Sequence, residues 1–196
     1  DVRHVGGAGE LTRRFEVAEW MTSAIRFRSP AYREVCAALP AGRRRVLARG
    51  DRWGPWRVLH PGGEKMPGVA DDAALVLCGD ICGFRVLLCS DLGRVGWREL
   101  LEREPDLRAA VLVAGMPSAT EPVGEGALEA VGPRVLVISG GESPASERLS
   151  RALRRRLARH RLPVFYTPDD GSVTLEFREG RLRVRSMRGR EVELRP

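Results

Sequence analysis

The sequence predicts an α/β domain in which helices cover a mixed sheet. Three observations lead there. Short, nearly continuous apolar runs at 74–78, 84–89, 109–113 and 135–138 read as strands covered on both faces. Segments with helical apolar spacing alternate with the later runs, as crossovers between parallel strands do. The end of the chain, SVTLEF, RLRVRSM and EVELR, alternates with period two around Glu179-Gly180 and Arg188-Gly189, the pattern of an antiparallel meander with one buried face.

The elements follow in order. Residues 8–15 read as a short helix and 17–21 as a strand. Ser29-Pro30 opens a helix through residue 39, with serine as N-cap and proline at the first helical position. Strands near 45–48 and 56–59 flank the Gly50-Asp51 turn, and 60–68, rich in Pro and Gly, is a loop. A tight turn at 79–83 joins the first two apolar runs. Helices over 96–104, 126–131 and 145–161 each lead into a strand, the last at Val164-Phe165. No internal repeat or low-complexity linker interrupts the chain.

With 196 residues and 43% hydrophobic content, residues 1–196 suffice for one well-cored domain and are too few for two. No apolar run is long enough to cross a membrane. The chain opens without Met or a signal peptide and reads as a piece of a larger protein. Cys36, Cys78, Cys82 and Cys89 make neither a disulfide framework nor a zinc tetrahedron and read as small apolar residues on buried strands.

The net charge of +7 is unevenly placed. Residues 1–142 carry 19 basic and 19 acidic side chains, whereas 143–196 carry 14 Arg against 7 acids, so the whole excess lies at the end. In SERLSRALRRRLARHR, Leu149, Leu153 and Leu157 form a core stripe that leaves Arg148, Arg151, Arg154, Arg155 and Arg159 on outer faces. In the meander, Leu182 and Val184 point inward, so Arg181, Arg183 and Arg185 share the other face. Arg154, Arg155, Arg159, Arg181, Arg183 and Arg185 are the candidates for binding DNA phosphates, with no aromatic residues nearby to stack bases.

Several stretches carry a resemblance in the same order. ALVLCGDICGFRVLLCSD (74–91) resembles, without a gap, the pattern S-L-V-L, hairpin, G-F-R-x-L-L-T-G-D. HVGG (4–7) is similar to the end of H-x-D/H-x-D-H-x-G-G, SPAYREVCAAL (29–39) to S-P-x-Y-x-x-L-L, and VLHP (58–61) precedes the S-L-V-L strand. PDLRAAVLVAGMPS (105–118) stands where the pattern reads D-L-x-A-D-V-L-K-V-P-H-H-G-S; GPRVLVISGG (132–141) and VFYTPDDGSVTL (164–175) match the closing segments. The family they resemble is the metallo-β-lactamase-like domain of ComEC-type DNA-uptake proteins.

That resemblance implies a layered αββα sandwich, N-terminally incomplete because the family's first strands, with F-x-D-V-G-Q-G-D, have no counterpart. The missing strands would leave a sheet edge open. It implies a metal-dependent nuclease on incoming DNA, whose dinuclear site needs about five or six His and carboxylate ligands. Asp91 matches the bridging aspartate, His4 the last histidine of the first motif, and Asp1 an earlier ligand. Arg3 stands where an acidic ligand belongs, and a guanidinium cannot coordinate a cation. Gly115 and Met116 replace the histidine pair of H-H-G-S, Ser118 is kept, and Ser143-Pro144 replaces His-Pro. His60 is not at a ligand position, and His160 ends a basic helix, where it would cap carbonyls.

Asp1, His4 and Asp91 are therefore relic metal positions. No cofactor is expected; if one is bound, it is Mn or Zn. The implied protein is a catalytically inactive copy with a structural or DNA-guiding role, on the extracytoplasmic face of the bacterial cell membrane as part of a larger membrane channel protein. Its partners would be single- or double-stranded DNA, held through phosphates, and the rest of that channel; no small-molecule substrate is evident. Two other readings stay open: a weak metal-dependent phosphodiesterase, and a protein-interaction module docking through the open sheet edge.

Overall fold

The computed structural model describes residues 5–24, 29–39, 42–62, 68–141 and 148–196. It opens with α1 (Ala8–Arg14), β1 (Trp20–Ser23), α2 (Pro30–Ala38) and β2 (Arg44–Leu47), in which β1 and β2 form a parallel pair. Pro30 is at the start of α2 as predicted, but Ser29 makes no side-chain cap bond.

The main sheet follows. It comprises β3 (Arg52–Trp53), β4 (Trp56–His60), β5 (Val76–Ile81), β6 (Phe84–Leu88), β7 (Val111–Ala114), β8 (Val135–Ile138) and β9 (Val164–Tyr166), hydrogen-bonded in chain order. Strands β3 to β6 pair antiparallel, and β6 to β9 pair parallel. The parallel half is joined by α3 (Arg94–Arg103), α4 (Glu125–Val131) and α5 (Arg151–Arg159). A single turn of helix, α6 (Thr167–Asp170), leads to the meander β10 (Val173–Arg178), β11 (Arg181–Ser186) and β12 (Glu191–Leu194).

Alternation along the strands divides the core into two. Leu87, Leu112 and Leu136 meet Trp97 and Leu100 of α3, Leu128 of α4 and Leu153 and Leu157 of α5. Val86, Val111, Val135 and Phe165 point the other way and meet Leu182, Val184 and Leu194 of the meander. This double burial is why the strands read as continuous apolar runs. Among the described residues the layers are helices, seven-stranded sheet and three-stranded sheet. The outer face of the meander carries charged side chains where a second helical layer was expected.

Helix α5 begins at Arg151, with the Ser150 hydroxyl accepting the Leu153 amide at 3.1 Å. The predicted start at 145 falls outside the described residues. Cys36 and Cys82 depart from the cysteine reading: Cys36 is half-buried on helix α2, and Cys82 is exposed in the β5–β6 turn with φ 50°; all four cysteines are free thiols.

Neither core cluster includes a residue before Trp56. Leu11 of α1 and Phe15 just after it are 50% and 64% exposed, and α2 buries no residue. In the β1–β2 pair only Leu47 is buried, and a two-stranded pair with so little apolar cover is marginal in water. Amides of Met21 and Thr22 should therefore exchange with solvent deuterium orders of magnitude faster than those of Leu112 and Leu136, where opening requires global unfolding. Peptide-resolved hydrogen exchange measures this directly.

Candidate functional site

Because β6 to β9 run parallel, their C-terminal ends share one edge of the sheet, where open α/β sheets bind ligands. The antiparallel β4 and β5 bring His60 and the 3-10 turn Asp71–Ala73 to the same edge. Ser90 and Asp91 follow β6, Gly115 to Ser118 follow β7, and Ser139 to Gly141 follow β8.

Ser90 turns the chain out of β6 with φ 48°, a left-handed conformation that costs a residue with a side chain of order 1–3 kcal/mol. Its carbonyl accepts the Gly115 amide at 2.6 Å, and Cys89 donates to Val113 at 2.8 Å, so the ends of β6 and β7 are laced together. Asp91 Oδ1 consequently lies within the space that a β-carbon on Gly115 would occupy, and the Ser90 carbonyl carbon is 3.2 Å from that point. Two of the sequence-predicted positions, 91 and 115, are thus in contact.

Two further aspartates complete the rim. Asp71 accepts the Ser118 amide at 2.7 Å and its hydroxyl at 2.6 Å, tying the β7 loop to the turn before β5. Asp72 is buried, and its Oδ1 accepts the amides of Val95 at 2.9 Å and Gly96 at 3.2 Å. It supplies from a distant loop the cap that Gly93, the N-cap residue, lacks, and its charge suits the positive end of α3. Sequence reasoning missed both aspartates. The hint available in the sequence was that the helix expected over 96–104 has no capping side chain directly before it.

His60 is wholly buried, and its Nε2–H donates to the Asp72 carbonyl at 2.7 Å. Nδ1 has no hydrogen-bond partner among the described residues. Burial lowers the pKa, against the upward pull of the Asp72 carbonyl. A depressed histidine pKa means that the unfolded chain takes up the proton first. Stability should be constant above the unfolded value of about 6.5 and fall as pH drops below it. The melting temperature of His60→Gln should lose this acid dependence, which a pH series of thermal melts reads.

Among the described residues the donors of a dinuclear Mn or Zn site are not gathered in one place. No group of three or more His, Cys, Asp or Glu converges as a ligand set among the described residues. Gly115 offers no donor, Met116 is a thioether only 7% exposed, and Asp91 fills the room a side chain at 115 would need. Asp1, Arg3, His4, Ser143 and Pro144 lie outside the described residues. His160, expected to cap carbonyls, instead directs Nε2 to Glu125 Oε1 of α4 at 2.8 Å.

The six candidate arginines do not share one surface. Those of α5 lie on the helical side of the main sheet and those of the meander on the opposite side, because α5 packs into one core cluster and β11 into the other. Arg181, Arg183 and Arg185 each face a glutamate: Glu193 at 3.7 Å, Glu191 at 3.2 Å and Glu176 at 2.8 Å. On α5, Arg154 pairs with Asp169 and sits 4.7 Å from the Tyr166 ring centroid. Arg151, Arg155 and Arg159 are exposed, and the described residues include no ion pair to them. Their four-residue spacing sets them in a stripe about 12 Å long. Arg151 was not among the candidates, although that spacing was readable.

The fold and rim define a layered α/β domain whose strand-end loops are closed by aspartate contacts. No protein-family model matches the chain. It is similar to ComE operon protein 3 of Bacillus subtilis (strain 168), 24% identical over 112 residues, a match covering 57% of this chain and 14% of that protein. No helix of the described residues is long and apolar enough to cross a membrane.

Proposed function

We propose that the chain is a metallo-β-lactamase-like domain of a competence-type DNA-uptake protein that no longer hydrolyses phosphodiesters and serves to guide DNA. The observation that carries this reading is the contact between Asp91 and Gly115. In the ungapped motif match, Asp91 stands at the bridging aspartate and Gly115 at the first histidine of the H-H-G-S pattern. The parallel pairing of β6 and β7 brings these two positions together, as the motif match requires. Ser90 adds support: its positive φ falls where the resembled L-L-T-G-D motif has glycine, the residue that takes this conformation without strain. The similarity to ComE operon protein 3 supports the competence context.

The chemistry argues against hydrolysis. A metal-bound nucleophile needs a cation held by several donors, and the rim aspartates are committed elsewhere: Asp71 to Ser118, Asp72 to the start of α3. The exposed Arg151, Arg155 and Arg159 stripe is the part of this domain suited to a phosphate backbone. On this reading the domain lies on the extracytoplasmic side of the membrane within a longer protein.

The test is elemental analysis with a nuclease assay on single- and double-stranded DNA. Purified protein should hold far less than one equivalent of Mn or Zn and leave DNA uncut when either is added. A full equivalent of tightly held metal, lost together with cleavage in Asp91→Ala, would overturn the proposal and establish a metal-dependent phosphodiesterase.

A further inference from the structure

A groove of about 670 Å³ runs between α3, the segment 119–124 and α4. Trp97 and Leu101 of α3 and Ala127 of α4 give it apolar walls. Arg94 and Arg98, four residues apart on α3, also line it, and both are exposed. Helical spacing puts them on one face of α3 beside the groove, while Leu100 turns to the core.

Several features mark this groove as a binding site. A β-carbon added at Gly124 or Gly126 would meet nothing within 4 Å, so the first turn of α4 leaves the space open. No ion pair to Arg94 or Arg98 is present among the described residues, whereas the acid across the groove, Glu121, is held by Arg156. Glu102, one turn beyond Arg98, also lines the groove, so the cationic end is the Arg94–Arg98 turn. The α3 amides of Val95 and Gly96 are already used by Asp72, which leaves the guanidinia as donors for an anion. Thr120 also lines the groove, although its hydroxyl is turned away from solvent. The volume lies within the range of small-molecule pockets.

We propose that this groove binds a small amphiphilic anion. A carboxylate, sulfonate or phosphate head would sit between Arg94 and Arg98, and an aromatic or branched aliphatic body against Trp97, Leu101 and Ala127. The site is independent of the DNA-guiding reading, since its anion-binding residues, Arg94 and Arg98, belong neither to the Arg151, Arg155 and Arg159 stripe nor to the meander.

The probe is 8-anilinonaphthalene-1-sulfonate, titrated by fluorescence, with uncharged N-phenyl-1-naphthylamine as its neutral counterpart. The wild type should bind the sulfonate saturably and more tightly than the neutral dye. Arg94→Gln/Arg98→Gln should weaken the sulfonate about tenfold or more and leave the neutral dye unchanged. Gly126→Leu, which fills the open space at an exposed helical position, should abolish both. Near-UV circular dichroism confirms that each variant stays folded. Failure of the wild type to bind, sulfonate affinity unchanged in the arginine variant, binding retained by Gly126→Leu, or equal affinity for the neutral dye would each overturn the proposal.

Discussion

Replacing Arg151, Arg155 and Arg159 together by glutamine should reduce the slope of log affinity for DNA against log salt by about 2–3 units. Each guanidinium on a phosphate releases roughly one condensed counterion, and these three have no acidic partner among the described residues to give up first. The same change at Arg181, Arg183 and Arg185 should leave the slope much less altered, because those guanidinia already face Glu193, Glu191 and Glu176. Fluorescence anisotropy with labelled single- and double-stranded DNA across a salt series separates the two variants. All six positions are on outer faces, so both proteins should fold. Equal slopes for wild type and the helix variant would remove α5 as the contact surface, and a larger loss from the meander variant would move that surface to the other side of the molecule.

Phe165→Ala should be among the most damaging single changes, costing about 3–5 kcal/mol of unfolding free energy. Phe165 is fully buried in β9, between the main sheet and the meander, and the Arg190 guanidinium lies 4.7 Å from its ring centroid. Deleting the ring leaves a cavity at the junction of two sheets, which cannot collapse without breaking strand pairing on one side. Phe177 offers the comparison: it is only half-buried at the meander, its ring centroid 6.4 Å from that of Phe84, and Phe177→Ala should cost about 1–2 kcal/mol. Urea denaturation of the two variants gives the ordering. An equal cost would mean that the meander packs as tightly at its margin as at its centre.

Reading the residues alone located most elements, because period and turn chemistry are local. The alternation in SVTLEF and RLRVRSM correctly turned Leu182 and Val184 inward and Arg181, Arg183 and Arg185 outward. Strand register brings Asp91 and Gly115 into contact: Leu88 pairs with Val113, so the residues that follow each strand meet at the same edge. Boundaries were less legible. The short β3 and the turns at 71–73 and 167–170 carry no period long enough to detect, and the expected start of the α5 helix at 145 lies outside the described residues, whose helix begins at Arg151.

Local patterning is enough to establish the character of each face: which side of a strand or helix is apolar, and that the last 54 residues carry the whole charge excess. What those faces meet depends on how the elements pack. The arginines of α5 and of the meander, close in sequence, are separated by the main sheet because their elements pack into opposite core clusters. The meander charges are cancelled by glutamates from neighbouring strands, and Asp72 caps a helix 22 residues later in the chain. Periodicity records the polarity of a face, whereas pairing and capping depend on register and on which distant segment arrives beside it. The surplus charge was therefore legible in the sequence, and its division into a paired face and an exposed stripe was not.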